Sequence, residues 1–301
     1  MPETNERPTT ADSRRVPRDH VVVGVDGSPV SLRALDRAAD EADQRSVGLM
    51  VLCGAAPPRY AAVPVTDTDR ERARKAGLEV AEAAAQRARD RVPGLTVVPS
   101  GSYELAADAL VRASRTAALT VVGSRGHGGF RGLLLGSVGL RLAAHSASPL
   151  LVVRGEEPVD AERSETVVGL KRSGATAPLR YGFEQAARDG SALRVVHNWG
   201  GPALPGLPRK STARESPEGK AAEAFVRETA ERIGADYDGV SVVSEAHHGS
   251  AAEQLIELSQ GARTVVLGAR REQRRLSLQV SPVVNAVLQH AGCPVALVPV
   301  V

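Results

Sequence analysis

The chain repeats itself. Moving 145 positions along takes Gly24 to Gly169, Ser28 to Ser173, Gly123 to Gly268, Val138 to Val283, His145 to His290 and Pro149 to Pro294. The endings also match, with His-Ser-Ala-Ser-Pro-Leu-Leu-Val-Val from His145 set against His-Ala-Gly-Cys-Pro-Val-Ala-Leu-Val from His290. Each copy has the length of an ordinary domain, and 301 residues carry a prior of about two domains. Whatever the first half folds into, the second must fold into as well.

Within the first copy, short apolar runs alternate with helical patterns. Strands are expected at Val21–Val25, Val47–Gly54, Leu95–Pro99, Ala118–Val122 and Pro149–Val153. Ser28 followed by Pro29 is a strong helix start, and that helix should run to about Gln44. A Pro-containing loop, Ala55–Asp67, leads to a second helix over Thr68–Val92, where Ala73, Ala76, Val80, Ala84, Ala88 and Val92 recur at helical spacing. Further helices are expected at Tyr103–Arg115 and from Ser137 to about Ser146. Alternating strands and helices predict a parallel sheet covered on both faces. Val/Leu strands with little polar alternation suit that burial. The expected fold is α/β: two tandem doubly wound, Rossmann-like domains, each a five-stranded parallel sheet with helices on both faces. The expected division is a disordered tail at 1–19, a first domain at 20–154, a charged linker at 155–164 and a second domain at 165–301.

Chemistry concentrates between Val121 and Val138. A strand ends at Gly123, and Gly126, Gly128, Gly129, Gly132 and Gly136 follow before a helix-start pair, Gly136-Ser137. Glycines let backbone N–H groups turn toward an anion. The next helix adds unpaired N–H groups and its dipole. Ser137 can donate its hydroxyl or cap the helix. Arg125, His127 and Arg131 offer positive charge. A Walker A loop is excluded, because Gly132–Ser137 has no Lys and only three residues between its glycines. The dinucleotide fingerprint also fails: Arg131 occupies the third glycine position, and the loop follows the fourth expected strand rather than the first.

What fits is Gly-x2-Gly-x9-Gly-Ser, at Gly123, Gly126, Gly136 and Ser137. This pattern resembles the nucleotide-binding motif of the universal stress protein family, and with the duplication the resemblance covers Val21–Pro299. It implies ATP in the first half, with magnesium as a companion of the nucleotide. Gly24, Val25 and Asp26 would lie by adenine and ribose, and Gly54, next to Cys53, by the base. Val122, Gly123, Arg125 and Gly126 would line ribose and phosphates, and Gly136, Ser137, Val138 and Gly139 would hold the phosphate tail. Asp26 also has a local reading, as an Asx-turn residue in Asp-Gly-Ser-Pro. The resemblance further implies that the halves pair along their last strands, Leu150–Val153 and Val295–Val298, as a pseudo-dimer.

The second copy departs from the motif. Asp26 is matched by Lys171, Gly27 by Arg172, Gly126 by Arg271, Gly136 by Ser281 and Ser137 by Pro282, while Gly123 survives as Gly268. The expectation is that the second half does not bind ATP in the family's manner.

Other features argue mainly by exclusion. Aromatics are only 3%, so the cores must be built from Ala, Val and Leu. A net charge of +3 with mixed signs, and a short basic run at Arg270, Arg271, Arg274 and Arg275 without aromatics beside it, argue against nucleic acid. No apolar run reaches the ~18 residues of a membrane span, and residues 1–20 lack a signal-peptide core. A cytoplasmic protein is expected. Cys53 and Cys293 read as small hydrophobes. His145 and His290 read as structural, His247 and His248 as solvated, and Trp199 and Tyr237 as edge packing of the second domain. No general base stands out near Gly136 and no acidic metal cluster is visible, so the expectation is no enzyme, or at most slow ATP hydrolysis. The function expected is a stress-response regulatory module with an unknown protein partner, with further homodimerisation left open. The alternatives are a nucleotide-independent interaction module and, more remotely, an adenylating or electron-transfer enzyme of the wider α/β class.

Overall fold

A computed structural model describes residues 19–55, 66–124, 135–154, 164–200, 215–270 and 280–300. In the first half, β1 (His20–Gly24), α1 (Pro29–Gln44), β2 (Leu49–Gly54), α2 (Asp67–Arg91), β3 (Val97–Ser102), α3 (Ala106–Ala113), β4 (Ala117–Gly123), α4 (Ser137–His145) and β5 (Leu150–Val153) alternate. The second half repeats the pattern with β6 (Glu165–Gly169), α5 (Thr176–Asp189), β7 (Ala192–Trp199), α6 (Pro217–Gly234), β8 (Val242–His248), α7 (Ala251–Leu258), β9 (Ala262–Arg270), α8 (Pro282–His290) and β10 (Val295–Val300).

The helix ends have local causes. Ser28 caps α1 by accepting from Ser31 N, with Pro29 at the first helical position. Thr66 and Asp69 form a reciprocal capping box on α2. Gly190, at φ 63°, ends α5 in the left-handed region.

Each half orders its strands 3-2-1-4-5, and the two sheets join as β3-β2-β1-β4-β5-β10-β9-β6-β7-β8. All pairings are parallel except the seam, where β5 and β10 run antiparallel with Val152 opposite Val295 and Leu150 opposite Leu297. The expected pair of five-stranded sheets is therefore one continuous ten-stranded sheet, joined along the last strands. Arg154 strengthens the seam by donating to the carbonyls of Leu288 and Gln289 at the end of α8, where the helix dipole favours a cation.

Period-two alternation divides the core between the two faces. Val21, Val23, Leu49 and Val51 meet the alanine face of α1 and α2, including Ala34, Ala38, Ala81 and Ala85. Val22, Val122 and Val152 meet Leu110 of α3 and Leu142 of α4 on the other face. Small alanines let helices sit close to a β-branched sheet, which compensates for the scarcity of aromatics. Most element boundaries fall within two residues of expectation, and two in the first half differ by three. β3 runs on through Pro99 and Gly101 to Ser102, because it is an edge strand and tolerates proline there. α3 starts at Ala106 rather than Tyr103, since the intervening residues complete β3 and the turn.

Candidate functional site

The carboxyl ends of β1 and β4 lie side by side, because Val23 pairs with Val121. In an open parallel sheet whose order reverses here, this is the crevice where ligands bind. Asp26 follows β1. Its Oδ1 accepts from Ser28 N at 3.0 Å and from Ser28 Oγ at 2.6 Å, which makes the Asx turn that the spacing allows. Gly27 turns the chain at φ +79°. Ser28 Oγ in turn accepts from Ser31 N. Asp26 itself is exposed at the mouth of the crevice. Burial and the Asp26 charge both push the Cys53 thiol above its ordinary value, so the ends of β1 and β2 converge electrostatically as well as in the ladder. Replacing Ser28 by alanine removes the α1 cap and the hydroxyl bond to Asp26, and leaves only the backbone N–H bond of residue 28 to Asp26. The expected cost is about 1 kcal/mol in urea unfolding; a change within error of zero would contradict this account.

At the other wall, Gly136 N donates to Ser124 O at 2.9 Å, so the helix start is tied directly to the end of β4. Gly136, not Ser137, is the N-cap of α4, and it supplies no side-chain cap. Leu140 N reaches Gly136 O at 3.1 Å, but the N–H groups of Ser137, Val138 and Gly139 have no hydrogen-bond partner among the described residues. Open donors at a helix N-terminus point outward with the positive end of the helix dipole, a geometry that suits an anion.

The remaining expected site residues divide by what their atoms touch. The side chains of Val25 and Val122 are in the core, so only their backbones can meet a ligand. Val138 packs partly against the same core. Gly24, Gly54, Gly123 and Gly139 are glycines for close packing: a Cβ would lie 2.7 Å from Leu110 Cδ1, 2.5 Å from Ala106 Cα, 2.7 Å from Val30 Cγ1 and 2.7 Å from Leu135 Cδ1 respectively. Gly123 is not among the positive-φ glycines, so its lack of a side chain serves packing rather than a turn. Arg125 and Gly126, with His127 and Arg131, lie outside the described residues.

In the second half the same places are built differently. Ser281 caps α8 by accepting from Val284 N at 3.2 Å, and Pro282 has no N–H to offer. Of the three donors open in α4, only the Val283 N–H remains here. Arg172 has turned away toward α6, donating to Ala221 O and stacking 4.5 Å over Phe225. Arg271, Arg274 and Arg275 lie outside the described residues.

Of the other residues singled out, His145 and His290 end α4 and α8. His247 is not simply solvated: it bonds Glu245 at 2.9 Å, and Glu245 also pairs with Arg194. Burial opposes the charge on Glu245, but His247 and Arg194 hold its carboxyl below the ordinary value. His248 packs edge-on against Trp199 at 4.6 Å, and Tyr237 stacks on Phe183 at 5.1 Å. No group of three or more His, Cys, Asp or Glu among the described residues could hold a metal ion.

Comparison with known proteins agrees with this geometry. The model of the Universal stress protein family matches residues 17–154 and again residues 165–299. Universal stress protein Rv2623 of Mycobacterium tuberculosis is 28% identical over 290 residues, covering 91% of this chain and 94% of that protein. Universal stress protein Rv2028c of the same organism is 32% identical over 290 residues, covering 92% and 95%. The crystal structure of a universal stress protein from Archaeoglobus fulgidus superposes with a TM-score of 0.69 at 18% identity, covering 94% of this chain and 98% of that one, and shares the fold. With both halves matched and nearly the whole length covered, the chain belongs to the universal stress protein family as a tandem, two-domain member.

Proposed function

We propose that this chain binds ATP, with magnesium as the companion of the nucleotide, in the crevice of its first half. It then acts as a cytoplasmic stress-response regulator rather than as a fast enzyme. The observation that carries this reading is the N-terminus of α4. Its three donors are open, its cap is a glycine, and it is tied to the end of β4 beside Asp26. That arrangement suits a polyphosphate tail held by backbone N–H groups, with the base toward β1 and β2. Turnover is slow in this reading, because Oδ1 of Asp26 is already engaged by Ser28 and no other acid near the mouth reads as a base. For the second half, the capped α8 favours a role that uses no nucleotide, such as contact with a protein partner.

The test is the nucleotide released from the purified protein on denaturation, followed by titration with ATP and magnesium. One ATP per chain is expected. The double variant Gly136→Ser, Ser137→Pro gives α4 the cap of α8. It should lose at least about tenfold in ATP affinity, since it removes one donor and occupies another. Two nucleotides per chain, or an unchanged affinity in the double variant, would overturn the proposal.

A further inference from the structure

The second half, which has lost the motif, holds a cleft of about 650 Å³ at the carboxyl ends of β6, β7 and β9. That is the size of a small-molecule site. Its floor is apolar, formed by Val196, Leu255 and Leu267, with Val283 of α8 at one side. Its rim is cationic. Lys171 lies two residues beyond Gly169 and Arg270 three beyond Leu267, and Gly169 and Leu267 are partners in the ladder, so both cations emerge at one mouth. Among the described residues, neither side chain has a hydrogen bond or ion pair, and no carboxylate lines the cleft. His197 lies at the back. Burial and the Arg172 charge hold its imidazole below the ordinary value, partly offset by its bond to Leu170 O. Nδ1 donates in that bond at 2.9 Å, because a carbonyl only accepts, and this leaves Nε2 as an acceptor. The Asn198 side chain adds an amide without a partner among the described residues.

We propose that this cleft binds a small organic anion without a ribose: an apolar body on Val196, Leu255 and Leu267, and a carboxylate, sulfonate or phosphate head between Lys171 and Arg270. A nucleoside is disfavoured because the position of Asp26 is a lysine, which cannot accept hydrogen bonds from ribose hydroxyls when charged. A triphosphate is disfavoured because α8 offers fewer open donors than α4. The inference stands on the second half alone and does not rest on ATP binding in the first.

The experiment titrates the full chain with 8-anilinonaphthalene-1-sulfonate, an aromatic sulfonate, in excess ATP and magnesium and again without them. Its uncharged twin, N-phenyl-1-naphthylamine, serves as control. One sulfonate per chain is expected in both conditions. Lys171→Gln should weaken the sulfonate by about tenfold and leave the neutral twin unchanged. Ala251→Phe should block both by filling the cleft. Lys171 is exposed, so its variant is expected to melt as the parent does; should Ala251→Phe fail to fold, Lys171→Gln and Arg270→Gln decide the matter. The proposal is overturned if Lys171→Gln leaves sulfonate affinity within about twofold, if a folded Ala251→Phe still binds, or if ATP displaces the probe. The double variant Gly136→Ser, Ser137→Pro should bind the probe normally, so loss of ATP binding in the first half cannot be mistaken for loss of this site.

Discussion

Replacing Glu41 by alanine is expected to destabilise the full chain by about 3–5 kcal/mol. Glu41 lies on α1 with its side chain 1% exposed, between two arginines of its own helix and α5 of the other half. Its Oε1 accepts from Arg37 Nε at 3.0 Å, Arg37 Nη2 at 2.6 Å and Gln185 Nε2 at 3.1 Å. Arg45 Nη1 is 3.0 Å from its Oε2, while Arg45 Nη2 reaches across to Tyr181 and Gln185. Asp189, also buried, stands 3.9 Å from both Arg37 and Arg263. Removing Glu41 leaves Arg37 with only the more distant Asp189 as a counter-charge, and Arg45 with only the neutral acceptors Tyr181 and Gln185. The cost is that of uncompensated buried charge rather than of one lost contact. Urea unfolding of the variant measures it, with Glu41→Gln as the intermediate case because it keeps an acceptor for Arg37 and loses the charge. If Glu41→Ala costs under about 1 kcal/mol, the cluster is wet and contributes little. If it costs the full amount, the halves are set in register by polar contacts as well as by the β5–β10 ladder.

The cluster could not have been found from the sequence. The 145-residue offset matches Glu41 with Ala186 and Asp40 with Gln185, so the repeat gives no sign of a paired charge there. Helix charges normally face water, and only the tertiary seam turns these inward. What was legible has a simple physical basis. Runs such as Val21–Val23 and Val121–Val122 must be buried on both faces, and Ser28-Pro29 starts a helix wherever it stands. The order of elements followed from these residues, and the seam between Leu150–Val153 and Val295–Val298 from the family resemblance. Edges were read less well: the third strand, expected to stop at Pro99, runs on through Gly101 to Ser102 at the sheet edge. At the site, the pairing of Asp26 with Ser28 and the helix start at Gly136-Ser137 were visible as local motifs. The packing role of the glycines was not, because it depends on which helix lies over each strand end. Nor was the cleft in the second half, since a lost motif in sequence does not imply a filled cavity. His197 and Asn198 drew no attention because neither belongs to a motif.

Replacing Gly54 by valine should separate packing from ligand contact at the end of β2. A Cβ at this position would lie 2.5 Å from Ala106 Cα and 2.7 Å from Ala106 N, so the obstacle is backbone and cannot rotate away. The first turn of α3 must lift. That helix also presses Leu110 onto Gly24, where a Cβ would come within 2.7 Å, so the displacement passes to the end of β1 next to Asp26. Overpacking of this kind costs about 1–3 kcal/mol, and the proposed ATP site should weaken with it. Gly27→Ala is the control. Nothing lies within 4 Å of a Cβ there, but the backbone sits at φ +79°, so the expected loss is about 1–2 kcal/mol from backbone strain alone, with α3 undisturbed. The two variants differ in where the damage appears. Hydrogen exchange should rise across α3 in Gly54→Val and only around residues 26–31 in Gly27→Ala. If Gly54→Val keeps its stability and its α3 protection yet loses ATP, Gly54 acts by direct contact with the base. If it loses stability and exchange protection together, the glycine serves first to let α3 lie against β2, and any effect on the nucleotide follows from that.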